Sequence, residues 1–489
     1  MKLNFGEFSK SQTTEELLQK GALNNQKLKQ LLSAYSDIQF LPMAQNSPIT
    51  SFYCEGMVDT AQLNEYFQVI IRTLMDGHSY HDGQNGSVYL PPLEQITSVS
   101  KMFEKLFSGF LILYKENTSF FYIVDISKIP QRVPTESTTE VSVKGPKDAF
   151  TEELHVNISL IRKRLRTKHL YSETFTIGSL SQTKVALLYL NNKVNKELLQ
   201  AIRKRLETFE TESIIGSGQL EQWLSDRTFS LFPLFDHILR PDFVVECLLR
   251  GRFIIVIDGS PLALIGPVNL FELIKSPEDP HFPYFYVMFE RIIRLVSINI
   301  SIFLPAFWIA ISSVNLDQLP FPLLATVVVS RDGLPFPSGL EALIILGLFE
   351  LLREAGLRMP RPLGQTISIV GGLIIGDAAI RAGLSSPALI VIIAVASVAS
   401  YTLVNQSLIS SVTILRFYSL LLSSFLGVYG FFLAMFSILI YLCRLESFKM
   451  AYLEPLVSLS FREYLAALIG DPFKRRRFTA TMLTKWRRS

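Results

Sequence analysis

The residues best placed for chemistry lie in one stretch, GQTISIVGGLIIGDAAIRAG, from Gly364 to Gly383. Placed 100° apart on a helix, Thr366, Val370, Asp377 and Arg381 share one face, and Gly364, Ser368, Gly372, Gly376, Ala379 and Gly383 share the roughly opposite one, with Gly371 beside them. Small residues four apart let neighbouring helices approach closely. An acid within an apolar helix marks function unless a neighbour pairs with it. Two readings follow for Asp377. Either it pairs with Arg381 at i,i+4 near a membrane surface while Val370 packs on a neighbour, or copies of the helix surround an axis. Val370 would then form an apolar constriction and Asp377 an acidic ring, the parts of a narrow ion path.

A second set of charges punctuates the apolar run Leu340 to Leu352, namely Glu341 and Glu350, followed by Arg353, Glu354, Arg358 and Arg361. A carboxylate facing lipid is costly, so this helix belongs at an interface or inside a protein assembly where its charges find partners. Catalytic and cofactor signals are weak by comparison. His78 and His81 have no carboxylate or cysteine at metal-ligand spacing, and Cys54, Cys247 and Cys443 are scattered. Phosphate-loop and dinucleotide glycine patterns are absent, so neither an enzyme nor a cofactor or metal is implied.

The elements that must hold these residues divide the 489-residue chain in two. Up to about residue 290, charged and apolar segments alternate in the soluble manner, and from Leu295 long uncharged runs appear. Leu295 to Val314 reads as a span kinked by Pro305, entered from the cytoplasm behind Arg291 and Arg294. Ala388 to Val404 and Phe417 to Cys443 read as further spans, whereas the proline-rich Pro320 to Gly339 cannot cross as one helix. The N-terminus lacks an apolar leader-like run, and the tail from Arg444 carries ten Lys or Arg against four Asp or Glu. Both features favour cytoplasmic placement, the basic tail touching anionic lipid rather than nucleic acid.

The soluble half reads as a duplication. In SFYCEGMVDTAQLNEYFQVIIRTL and ALLYLNNKVNKELLQAIRKRLETF, Tyr53 and Tyr189, Val58 and Val194, Leu63 and Leu199, and Ile70 and Leu206 all lie 136 residues apart. Gly109 and Gly251 open a second matching pair of strand and turn passages. The expected fold is therefore an α/β N-terminal region of two similar subdomains, then an all-α transmembrane domain of four or five segments and a basic tail. Its boundaries are 1–34 helical and polar, 35–130 first subdomain, 131–167 linker and helix, 168–290 second subdomain, 291–443 transmembrane, and 444–489 tail. In the linker helix, Arg162, Lys163, Arg164, Arg166 and Lys168 read as a solvated C-terminus complementing the helix dipole, or as a basic contact with a partner subunit or lipid.

Three passages carry a family resemblance. They are PTESTTEVSVKGPKDAFTEELHVNISLIRKRLRT from Pro134, RPDFVVECLLRGRFIIVIDGSPLALIGPVN from Arg240, and PFPSGLEALIILGLFELLREAGLRMPRPLGQTISIVGGLIIGDAAI from Pro335. With its ELLREAG and GQTxxxVGGxxIG elements the chain resembles the A subunit of GerA-type spore germinant receptors. The resemblance implies a receptor of A, B and C subunits in the inner membrane of the spore, responding to small nutrients. It implies a transporter-like B subunit, a lipoprotein C subunit, and A subunits that assemble with one another into a cation-conducting channel. A scaffold of the dipicolinate-release machinery is the alternative. The chain departs from the family pattern at Glu136-Ser137-Thr138-Thr139-Glu140, which lacks a proline, at Ser338 in place of a frequent proline, and at Asp377, where glutamine is common.

Overall fold

The computed structural model describes residues 23–42, 48–76, 92–116, 118–128, 143–359 and 374–454, with the single residues 18, 372 and 456. They fall into two units. One comprises the described residues up to Ser225 with His237–Pro267, and the other Asp226–Asp236 with those from Val268 onward. Residues 268–290, and the stretch Asp226–Asp236, fall with the helical unit.

In the first unit, α1 (Asn25–Leu32) leads into β1 (Ile38–Phe40), β2 (Ile49–Cys54), α2 (Thr60–Asp76), β3 (Leu93–Ile96), α3 (Val99–Leu106), β4 (Phe110–Lys115) and β5 (Phe121–Asp125). After α4 (Leu154–Arg164) come β6 (Leu170–Ile177), β7 (Thr183–Leu190), α5 (Lys196–Glu207), α6 (Ser217–Leu224), β8 (Asp236–Ile238), α7 (Pro241–Leu249), β9 (Phe253–Ile257) and β10 (Ala263–Gly266). The two five-stranded sheets have orders β1-β2-β4-β5-β3 and β6-β7-β9-β10-β8, the same order position by position. Gly109 and Gly251 enter β4 and β9 at φ +93° and +94°, a backbone region open to glycine without strain.

Burial follows strand position. Every residue of β9 and β10 is buried, as expected of strands covered on both faces, while β6, at a sheet edge, alternates toward solvent along its second half. Asn195 starts α5 by accepting hydrogen bonds from the Glu197 and Leu198 amides. Leu154, Ile158 and Ile161 of α4 join Phe243, Val244 and Cys247 of α7 over Leu188, Ile254 and Val256 of the second sheet.

One basic residue of the linker helix corrects the expectation. Arg162 is fully buried rather than solvated, and its Nε and Nη2 donate to the two Asp37 carboxylate oxygens at 2.9 and 3.1 Å. The guanidinium lies 3.9 Å from the Phe107 ring centroid, and Ser172 Oγ donates to Asp37 Oδ1 at 2.6 Å. This clamp ties the two sheets together within the unit. Burial alone would raise the Asp37 carboxyl, but the Arg162 charge and the hydrogen bonds from Arg162 and Ser172 hold it below its usual value.

The second unit is helical: α8 (Leu270–Leu273), α9 (Tyr284–Ile309) continuing into a π turn at Ala310–Val314, α10 (Phe321–Arg331), α11 (Ser338–Arg358), α12 (residues 374–381), α13 (Pro387–Tyr401) and α14 (Gln406–Cys443), then a small hairpin of β11 (Glu446–Ser447) and β12 (Met450–Ala451). Among the described residues two helical segments are long and apolar enough to cross a membrane by length and composition, Tyr284–Val314 and Gln406–Cys443, the second counted across a break at Gly427. The spans expected at Leu295–Val314 and Phe417–Cys443 fall within them. The expected span Ala388–Val404 is a fifteen-residue helix, about 22 Å long and short of a hydrocarbon core of about 30 Å. Arg291 and Arg294 are buried against Asp279, at 2.8 and 3.0 Å.

Phe417–Cys443 is also not one tilted rod. At Gly427 the backbone takes φ +60°, ψ −139°, and the Val428 amide donates to Asn315 Oδ1 at 2.9 Å. Tyr418 Oη and Ser437 Oγ then meet at 2.9 Å, although nineteen residues of continuous helix would hold them about 28 Å apart. The chain reverses at Gly427, and α14 is a hairpin of two antiparallel helices.

Candidate ion path and its polar support

The helices of this unit bury polar residues along with an apolar core and leave many large apolar side chains exposed. In α14, Ser411, Arg416, Ser419 and Ser423 are buried, whereas Phe425, Phe432 and Phe436 are exposed. Exposed phenylalanines beside buried serines suit an apolar solvent, where packing between helices can run through small and polar side chains.

Of the candidate pore-lining stripe, Asp377 and Arg381 lie on α12, while Thr366 and Val370 lie outside the described residues, as do Gly364, Ser368 and Gly371. Asp377 and Arg381 form the i,i+4 ion pair at 2.8 Å with both side chains more than half exposed. The opposite face of α12 is packed. Ala379 is buried among Ala342, Ile345 and Leu389, Gly376 is buried beside Ile390, and Gly372 lies near Phe349. Gly383, at φ +63°, follows the helix in the left-handed conformation that often terminates one.

The charges of α11 separate into three environments. Glu341 is buried, its Oε1 accepting from Ser385 Oγ at 2.9 Å and from the Ser386 amide at 2.5 Å. Glu350 pairs with Arg353 at 3.1 Å and with Arg416 at 3.5 Å, and Arg353 Nη1 donates to Thr413 Oγ1 at 3.1 Å. Glu354 and Arg358 pair on an exposed surface. The first two groups answer the question the sequence raised, since they find partners beyond α11 in the same chain: Ser385 and Ser386 in the turn before α13, and Thr413 and Arg416 in α14.

Arg416 is the functional-looking residue that sequence reasoning passed over. Its Nε donates to the Ser301 carbonyl at 2.8 Å, and its Nη2 donates to Ser301 Oγ and, at 3.3 Å, to the Ala396 carbonyl. The Ser301 carbonyl needs this donor because its helical partner would be the amide of residue 305, which is a proline. A readable signal existed: a proline at 305 frees the carbonyl four residues earlier, and a lone arginine stands in the apolar run of α14. Among the described residues no group of three His, Cys, Asp or Glu could hold a metal ion.

The sequence model of the family described as "Bacillus/Clostridium GerA spore germination protein" matches residues 26–481. The chain is similar to "Spore germination protein XA" of Bacillus anthracis, 40% identical over 86% of this chain and 87% of that protein. It is similar to "Spore germination protein KA" of Bacillus subtilis at 33% identity, over 86% of this chain and 78% of the relative. Among solved structures, the N-terminal domain of the A subunit of the Bacillus megaterium spore germinant receptor GerK3 aligns with 50% of this chain and 92% of that one, at 26% identity and a TM-score of 0.36. With a family match that extends from α1 to beyond the β11–β12 hairpin, the chain belongs to the GerA spore germination protein family.

Proposed function

We propose that this chain is the A subunit of a nutrient germinant receptor in the inner membrane of the spore, and that copies of it assemble into a cation-conducting channel. Nutrient sensing belongs to a transporter-like B subunit acting with a lipoprotein C subunit, and the A subunit conducts and signals rather than catalyses. The single observation that carries this reading is the sidedness of α12. Gly376 and Ala379 pack inward, leaving Asp377 and Arg381 on an outward face that copies around an axis would share. Val370, seven residues before Asp377, supplies the apolar constriction, and Thr366 and Arg381 extend the stripe.

Placement of the ends supports an entry and an exit on the same side of the membrane, which the basic tail assigns to the cytoplasm. The Leu270 amide donates to the Tyr452 carbonyl at 3.1 Å and Asn269 Nδ2 to the Glu454 carbonyl at 2.9 Å, so the helical unit begins and ends at one side. An even number of crossings meets that condition. The test is conductance of the full chain reconstituted in lipid bilayers. Val370→Ala should raise single-channel conductance by widening the constriction, and Asp377→Asn should lower the preference for cations over anions. Unchanged conductance and selectivity in both variants would refute the assignment.

A further inference from the structure

A cavity lies where the π turn after α9, α10, the start of α11 and the start of α13 converge. Its polar wall is made by Ser312, Ser330, Arg331, Ser338, Glu341 and Ser386. Its volume is about 10 Å³, the space that the centre of one water molecule needs. Three of the wall's polar atoms, Arg331 Nε, Ser338 Oγ and Glu341 Oε2, are buried and have no hydrogen-bond partner among the described residues. Glu341 and Ser338 are themselves 1% and 3% exposed. Leaving such atoms unpaired is costly, most of all for a charged group.

The wall is also fixed in place. Arg331 Nη1 donates to the Ser312 carbonyl at 3.2 Å within the π turn, and Glu341 Oε1 is held by Ser385 and Ser386. π turns recur at functional positions in helices. One oxygen of the carboxylate is thus anchored while the second faces the cavity.

We propose that this cavity is a binding site for one water molecule that links the Glu341 carboxylate to the Arg331 guanidinium and the Ser338 hydroxyl. The chemistry of the wall selects the guest. A bare cation would suit the carboxylate and the serine oxygens but meets the guanidinium charge, and a halide has the reverse conflict. Water accepts from Arg331 Nε–H and donates to Glu341 Oε2, and its remaining capacity serves Ser338 Oγ. Three hydrogen bonds are what a buried water typically makes. The two opposite charges make no direct ion pair among the described residues, so the guest carries the connection between α10 and α11.

The test is radiolytic hydroxyl-radical labelling of the full chain in detergent, in which a bound water oxidises the buried side chains beside it. Leu389 and Ile309, both 1% exposed, line the cavity; Ile393 and Leu346, both fully buried, belong to the same core without lining it. Leu389 and Ile309 should be oxidised several-fold faster than Ile393 and Leu346. Ser338→Val, which places a methyl group in the guest's space, should bring them to the reference rate. Equal labelling of the two pairs in the unmodified chain overturns the proposal. So does a melting temperature that rises when sodium or potassium replaces choline at constant ionic strength, because a cation would then be the guest.

Discussion

Arg416→Met tests the reasoning about the helical unit most directly. Methionine retains much of the stem volume but cannot donate, so the Ser301 carbonyl, the Ser301 hydroxyl and the Ala396 carbonyl lose their contacts with the guanidinium, and Glu350 keeps Arg353 and the Thr413 hydroxyl. Removing one member of a buried charged network costs about 3–5 kcal/mol. Part of that cost is specific to Pro305. In a Pro305→Ala background residue 305 regains an N–H, the Ser301 carbonyl recovers its helical hydrogen bond, and Arg416 is no longer its sole donor. Arg416→Met should then cost about 1–3 kcal/mol less than in the parent, the penalty of one unpaired buried carbonyl. The assay is reversible unfolding of the full chain in mixed micelles, run as a double-mutant cycle over the four combinations. If the two Arg416→Met costs agree to within about 0.5 kcal/mol, the sites are independent and the account of Ser301 is wrong.

The hairpin in α14 predicts that Tyr418→Cys with Ser437→Cys is bridged by a short bifunctional thiol cross-linker, detected as a mobility shift after cleavage between the two positions. A continuous helix would keep the thiols about 28 Å apart and give no cross-link. At the Asp37–Arg162 clamp, Arg162→Met should destabilise the chain at neutral pH by about 3–5 kcal/mol, read by denaturant unfolding. The native Asp37 carboxyl titrates below its unfolded value of about 3.9, so the clamp contributes fully above that pH and is lost as pH falls through the lowered native value. The gap between parent and Arg162→Met should therefore narrow on acidification, and a gap independent of pH would refute the linkage.

The α/β unit was legible in the sequence where residue type and conformational demand coincide. Gly109 and Gly251 stand where both halves need positive φ, and the apolar runs of β4 and β9 are those of strands covered on both faces. Arg162 was illegible for a physical reason. A basic cluster at a helix C-terminus looks the same whether its members are solvated or one of them turns inward, and the carboxylate that decides the matter lies 125 residues away. The strand order likewise depends on pairings that no local pattern encodes.

In the helical unit the usual inference from sequence weakens. Apolar periodicity locates the face that meets the core in a soluble helix, but in α14 apolar side chains lie on both faces, Leu408, Val412, Leu415 and Leu420 buried and Phe425, Phe432 and Phe436 exposed. The contacts that define its geometry belong to a minority of residues: Arg416 on the carbonyl freed by Pro305, Asn315 on the amide after Gly427, and Ser437 on Tyr418. Averaged hydropathy therefore found the segment and missed its reversal, because a glycine turn inside an apolar run barely changes the average. The same logic singles out α12. Its small residues mark the packed face and its charged pair the face left outward, so Asp377 and Arg381 are where the proposed assembly of copies would meet.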